Sequence, residues 1–171
     1  MRVQNSSIIL FIGIVLSLCS CNSEPKKIAI QETPRESSGK VFELLPRTYT
    51  GVNFNNELVE TETVNFYSWQ YLYNGGGVGI GDINNDGLSD LYFTGTATDD
   101  KLYLNLGNMK FQDISFSAGI QERNGLKTGV SMVDVNADGF LDIYVCRSGW
   151  FSAPNRANLL YINQGNNTFK E

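Results

Sequence analysis

The sequence predicts an all-β fold built from repeated units of four short antiparallel strands, and three observations predict it. The stretch DINNDGLSD at 82–90 returns about fifty residues later as DVNADGFLD at 134–142. Each copy is followed by short β-branched and aromatic runs, with too little chain between them for crossover helices. The chain of 171 residues is 42% hydrophobic and 12% aromatic, a globular composition that decides against wholesale disorder.

In chain order, residues 1–20 read as a signal peptide helix. MRVQNSSIILFIGIVLSLCSC carries one basic residue, Arg2, and then runs apolar from Ile8 to Leu18. The run is short for a bilayer span and suits the apolar core of a secretory signal. Leu18-Cys19-Ser20-Cys21 resembles a bacterial lipobox, with an aliphatic residue, a small residue and then the acceptor cysteine. Cys21 is the expected lipidation site; Cys19 is a poorer acceptor because bulky Leu18 precedes it. Two or three acyl chains, at about 0.8 kcal/mol per buried methylene, would anchor the chain to a membrane. Residues 21–45 are polar and proline-containing and read as a flexible tether. Residues 46–76 form a lead-in to the repeats.

Repeat 1 spans 77–128 and repeat 2 spans 129–171. GVGIGDINNDGLSDLYFTG (77–95) aligns with GVSMVDVNADGFLDIYVCR (129–147), and KLYLNLGNMKFQD (101–113) with LLYINQGNNTFKE (159–171). Val78 to Ile80 and Val130 to Met132 read as first strands; Leu91 to Thr94 and Ile143 to Cys146 read as second strands. Leu102 to Leu104 and Leu160 to Ile162 are third strands, closed by Asn-x-Gly turns at Asn105 and Asn163. Fourth strands begin at Lys110-Phe111 and Thr168-Phe169. Four strands in about fifty residues is the pattern of a β-propeller blade, and about two blades are present. The second copy carries an insertion, GWFSAPNRAN, which reads as a longer loop.

The pattern D-x-N-x-D-G-x-x-D places oxygen-bearing side chains at alternate positions of a tight turn. Gly87 and Gly139 let the backbone turn with positive φ. Three carboxylates so close together repel unless a cation lies among them. Hard oxygen donors, with no histidine in the chain, select Ca²⁺ over transition metals. The expected ligands are the side chains of Asp82, Asn84, Asp86 and Asp90 with the Leu88 carbonyl. In the second loop they are Asp134, Asn136, Asp138 and Asp142 with the Phe140 carbonyl. An EF-hand would need an acid at position 12, where this chain has Phe93 and Val145, each in an expected strand. As the loops belong to different blades, each is expected to bind independently.

Residues 77–171 resemble FG-GAP/VCBS-type repeats, the calcium-loop blades of integrin α-subunit heads and of many bacterial surface proteins. The lead-in TGVNFNNELVETETVNFYSWQYLYNGGGVGIGD (50–82) most resembles the large bacterial members related to cartilage acidic protein, which end in an ASPIC/UnbV domain. The resemblance implies a seven- or eight-bladed propeller with calcium loops as structural staples. With about two blades, the chain reads as a truncated reading frame or as the N-terminal fragment of a much longer protein.

The absence of histidine removes Ser-His and Cys-His catalysis and most zinc sites. A formal charge of −5 without a basic patch argues against nucleic acid. The expected function is therefore a calcium-binding, non-catalytic lipoprotein of the cell envelope, held in the outer membrane and facing the surface or the periplasm. Its propeller would display loops to a protein or glycan ligand, with Trp150 and Phe151 of the insertion either exposed as contact residues or packed under their own loop. Two readings compete: the propeller part of a polysaccharide-lyase type enzyme, and a fragment with no independent function.

Overall fold

Two copies of one strand pattern form two four-stranded antiparallel sheets, each in simple sequential order. The computed structural model describes residues 42–120, 125–149 and 153–171. The signal peptide, the Cys21 lipobox, most of the tether, and Trp150 and Phe151 lie outside the described residues. Glu43–Glu171 forms one compact unit.

The first sheet comprises β1 (Val78–Gly81), β2 (Asp90–Phe93), β3 (Lys101–Asn105) and β4 (Phe111–Asp113). The second comprises β5 (Leu126–Val133), β6 (Asp142–Ser148), β7 (Leu159–Asn163) and β8 (Phe169–Lys170). In each copy an acidic loop joins the first strand to the second. The registers correspond: Ile80 faces Leu91 across β1–β2, as Met132 faces Ile143 across β5–β6. All eight strands fall on expected runs. Three differences stand out. β5 begins at Leu126, ahead of Val130, and crosses an irregularity in register between Lys127 and Val130. The insertion contains a helical turn, α2 (Ala153–Arg156), where only a loop was expected. The lead-in holds another, α1 (Arg47–Thr50), ended by Gly51 in the left-handed region at φ 79°, and a 3-10 turn at Leu72–Asn74.

The two sheets pack through one face each. Gly79 and Gly81 of β1 turn this face toward Val130, Met132 and Leu141; a side chain at Gly81 would meet Leu141 at 2.7 Å. Omitting side chains there lets the innermost strands approach. The shared core gathers Ile83, Tyr92, Leu102, Ile114, Ala118 and Ile120 from the first copy. Ile143, Val145, Leu159, Tyr161 and Phe169 come from the second. Tyr92, Leu102, Ile143 and Val145 are each fully buried, and each such side chain contributes about 1.5–3 kcal/mol.

A polar link crosses the same seam. Lys127 of β5 lies 3.4 Å from the Asp100 carboxylate, with both side chains almost wholly buried. Asp100 also accepts hydrogen bonds from the Tyr92 hydroxyl at 2.8 Å and the Gly95 N–H at 2.8 Å. Burial pushes the Asp100 carboxyl up, against the opposing pull of Lys127 and these donors. Burial likewise drives the Tyr92 phenol far up, so it stays a neutral donor. The other face of the first sheet is partly covered by the lead-in. Phe54 stacks on Phe93 at 4.9 Å, and Asn56 exchanges two hydrogen bonds with Thr96.

Candidate metal loops

The hydrogen bonds internal to the two acidic loops match, bond for bond. In the first, Asp82 accepts from the N–H groups of Asp86 at 3.1 Å and Gly87 at 2.7 Å. In the second, Asp134 accepts from those of Asp138 at 3.2 Å and Gly139 at 2.9 Å. Asn84 donates to Asp86 at 2.9 Å, as Asn136 does to Asp138 at 2.8 Å. Asp86 receives the Leu88 N–H at 2.8 Å and Asp138 the Phe140 N–H at 2.9 Å. Gly87 and Gly139 have φ of 85° and 90°, with open space where a side chain would go, so backbone conformation and not crowding selects glycine. The fourth loop position is also left-handed, at φ 61° for Asn85 and 60° for Ala137. Asparagine tolerates that region better than alanine.

The last aspartate of each loop has a different environment. Asp90 is fully buried and accepts from the Ile83 N–H at 3.0 Å and the Asn105 N–H at 2.7 Å. Asp142, equally buried, accepts from Val135 at 3.0 Å and Asn163 at 2.8 Å. Each therefore clamps its loop to the end of the third strand. Burial pushes the Asp90 carboxyl up; the Asn105 and Ile83 N–H groups pull it down, and the charges of Asp86 and Asp82 add to the rise. For Asp82 the balance is reversed. Burial would raise it, but backbone N–H groups from Gly87, Asp86, Asn84 and Asn85 outweigh that and hold it below its ordinary value.

The structure thus brings Asp82, Asn84 and Asp86 together at the rim of the first loop, with Asp90 turned inward beneath them. The second loop repeats this with Asp134, Asn136, Asp138 and Asp142. Among the described residues, no three histidine, cysteine, aspartate or glutamate side chains converge into a cage for an ion as they stand. Backbone N–H groups meet the carboxylates instead. The donor set nevertheless has calcium chemistry: three carboxylates and an amide per loop, every donor an oxygen, each carboxylate oxygen with lone pairs to share. Leu88 and Phe140, expected to contribute carbonyls, also place their side chains beside the Asn-x-Gly turns. A side chain at Gly165 would meet the Phe140 ring at 3.1 Å, and one at Gly107 would touch Leu88 at 3.9 Å.

Two sets of residues escaped the sequence reading. Asn105 and Asn163 were legible only as turn residues. Each also accepts the N–H of its turn glycine, Gly107 or Gly165, at 2.9 Å. The signal was their recurrence in register with the loops. The Tyr92–Asp100–Lys127 set left no such signal, since its members lie in different strands and loops.

Residues 82–145 match the model of the FG-GAP-like repeat, a window that opens on the first aspartate of the first loop and contains the whole of the second. The chain is also similar to cartilage acidic protein 1. It is 31% identical to the Mus musculus protein over 97 residues, which is 57% of this chain and 15% of the relative. The Xenopus tropicalis and Homo sapiens proteins are each 31% identical over 100 residues, 58% of this chain and 15% of theirs. The chain therefore spans about 15% of the length of the curated relatives it matches.

Proposed function

We propose that the two loops bind Ca²⁺ and staple two blades of a β-propeller in a lipid-anchored, non-catalytic protein of the cell envelope. The observation that carries this reading is the repeated geometry of 82–90 and 134–142. Two separate stretches of chain present the same oxygens on the same backbone, which an ordinary polar turn has no reason to do. Asp82, Asn84, Asp86, Asp90 and the Leu88 carbonyl would hold one ion. Asp134, Asn136, Asp138, Asp142 and the Phe140 carbonyl would hold the other. A bound cation would supply positive charge among carboxylates now met only by N–H groups. Loops at the blade ends would then be held rigid for display to a protein or glycan partner.

Calorimetric titration of the full chain with millimolar calcium tests the binding, since extracellular modules commonly bind at about 10⁻⁴–10⁻³ M. Bound calcium should raise stability by about 2.7 kcal/mol at one hundred times its dissociation constant. No heat of binding and an unchanged melt in calcium and in chelator would reduce the loops to polar turns. For the anchor, Cys21→Ala should abolish labelling by a fatty-acid probe in a bacterial host, whereas Cys19→Ala should retain it. Label persisting in Cys21→Ala would remove the lipobox assignment.

A further inference from the structure

The loops belong to different blades, and the repeat alone suggests that they act separately. The structure joins them at two points. Asn85, in the first loop, donates from its amide to the carbonyl of Gly139 at 3.0 Å. Gly139 is the left-handed hinge of the second loop, and its N–H is already held by Asp134. The hinge peptides are thus gripped from both loops at once. Asn163 makes the second junction. Its buried amide donates to the Leu141 carbonyl of its own loop at 3.0 Å and to the Ile83 carbonyl of the first loop at 2.8 Å. Ile83 in turn gives its N–H to Asp90. The counterpart in the first copy, Asn105, bonds the Ser89 carbonyl of its own loop. Asn163 thus keeps the bond that the repeat prescribes and adds one across the seam.

From these junctions we infer that the two loops form one coupled cation-binding unit, with Asn85 and Asn163 as its positioning residues. The inference rests on the calcium reading above. Ordering one loop around an ion fixes the Gly139 carbonyl through Asn85 and the Ile83 carbonyl through Asn163. The second ion then meets a loop that has already lost part of its freedom, which makes the coupling positive. Thermodynamic linkage requires the effect to be mutual: each site must change the other by the same factor.

The test is a calcium titration of the full chain by calorimetry, with terbium luminescence as a second readout. It is run at about 1 M salt, where the screening length is about 3 Å and charge repulsion between the loops is largely removed. Asp86→Ala disables the first loop, and the second should then bind on the order of fivefold more weakly. Asp138→Ala should weaken the first by the same factor. Asn85→Gly tolerates the left-handed backbone and leaves every carboxylate in place. In that background both loops should still bind, and Asp86→Ala should weaken the second by clearly less, since only the Asn163 junction then remains. Unchanged affinity of the second loop in Asp86→Ala would overturn the coupling, as would an equal loss with and without Asn85. Binding by neither loop in the unmodified chain is a different outcome. It would remove the calcium reading and this inference with it.

Discussion

Replacing Asp90 separates its structural part from any part in holding an ion. Asp90→Ala removes the acceptor for two backbone N–H groups, those of Ile83 and Asn105, at a fully buried position. A buried donor left without a partner costs about 1–3 kcal/mol, so the pair amounts to about 2–6 kcal/mol. That is a large share of the 5–15 kcal/mol typical of a domain. An opposing effect trims it: burial already raises this carboxyl, so removing the charge relieves some desolvation. Asp90→Asn keeps one acceptor and no charge, and should cost less than Asp90→Ala. At the rim, the N–H groups that Asp82 holds can turn to water, so Asp82→Ala should cost the least. The assay is urea unfolding followed by circular dichroism in excess chelator, so that no ion contributes. The midpoint should fall in the order given, with the urea dependence unchanged. If Asp90→Ala matched the unmodified chain in chelator, the clamp between loop and third strand would carry no energy.

Two further outcomes follow from the same geometry. Leu102→Ala, at a fully buried position, should cost about 2–5 kcal/mol, whereas Leu160→Ala, the same repeat position left 36% exposed, should cost clearly less; equal losses in urea unfolding would contradict this. Asp113 is held below its ordinary value: burial would raise it, but the Ser115 hydroxyl and N–H and the Lys101 ammonium at 3.0 Å outweigh that. The stability it contributes is present above the unfolded value of about 3.9 and is lost as pH falls through the lower folded value. Asp113→Asn should thus be less stable than the parent at pH 7 and nearly equal to it at about pH 2 in parallel unfolding curves, and no difference at pH 7 would count against the bond.

The strands were legible because each is a short β-branched or aromatic run beside a turn signal, and because every signal came twice. Leu91 to Phe93 and Ile143 to Val145 could be assigned as strands from residue type alone. The early start of β5 could not. Thr128 and Gly129 have no strand pattern of their own. The segment pairs because Lys127 gives its N–H to Thr96 and its ammonium to Asp100, both distant in sequence. Spacing in the loops announced the oxygens but not their division of labour. Asp82 and Asp90 look alike in D-x-N-x-D-G-x-x-D. Only the position of Asn105 decides that one stays at the rim while the other is buried against the third strand.

A repeat also hides an asymmetry that only packing reveals. Gly79, Gly81, Tyr92 and Leu102 share one face of the first sheet; Ser131, Val133, Tyr144 and Leu160 are their counterparts in the second. Tyr92 and Leu102 are fully buried because the second sheet lies over them, whereas Tyr144 and Leu160 remain 37% and 36% exposed. Burial in such an architecture belongs to the seam between neighbouring units and not to the unit itself. The pair of glycines at the seam fits this account. The second sheet reaches the first through Val130, Met132 and Leu141, whose side chains lie against the bare backbone of β1 at Gly79 and Gly81. At the outer face, Ser131 and Val133 replace those glycines, so any surface that covers it must meet a strand with more bulk. The core residues of both sheets therefore meet in one seam, the same one that Asn85, Asn163 and the Lys127–Asp100 pair cross. An ion held in either loop would act at the end of that seam, where ordering one loop bears directly on the packing of both sheets.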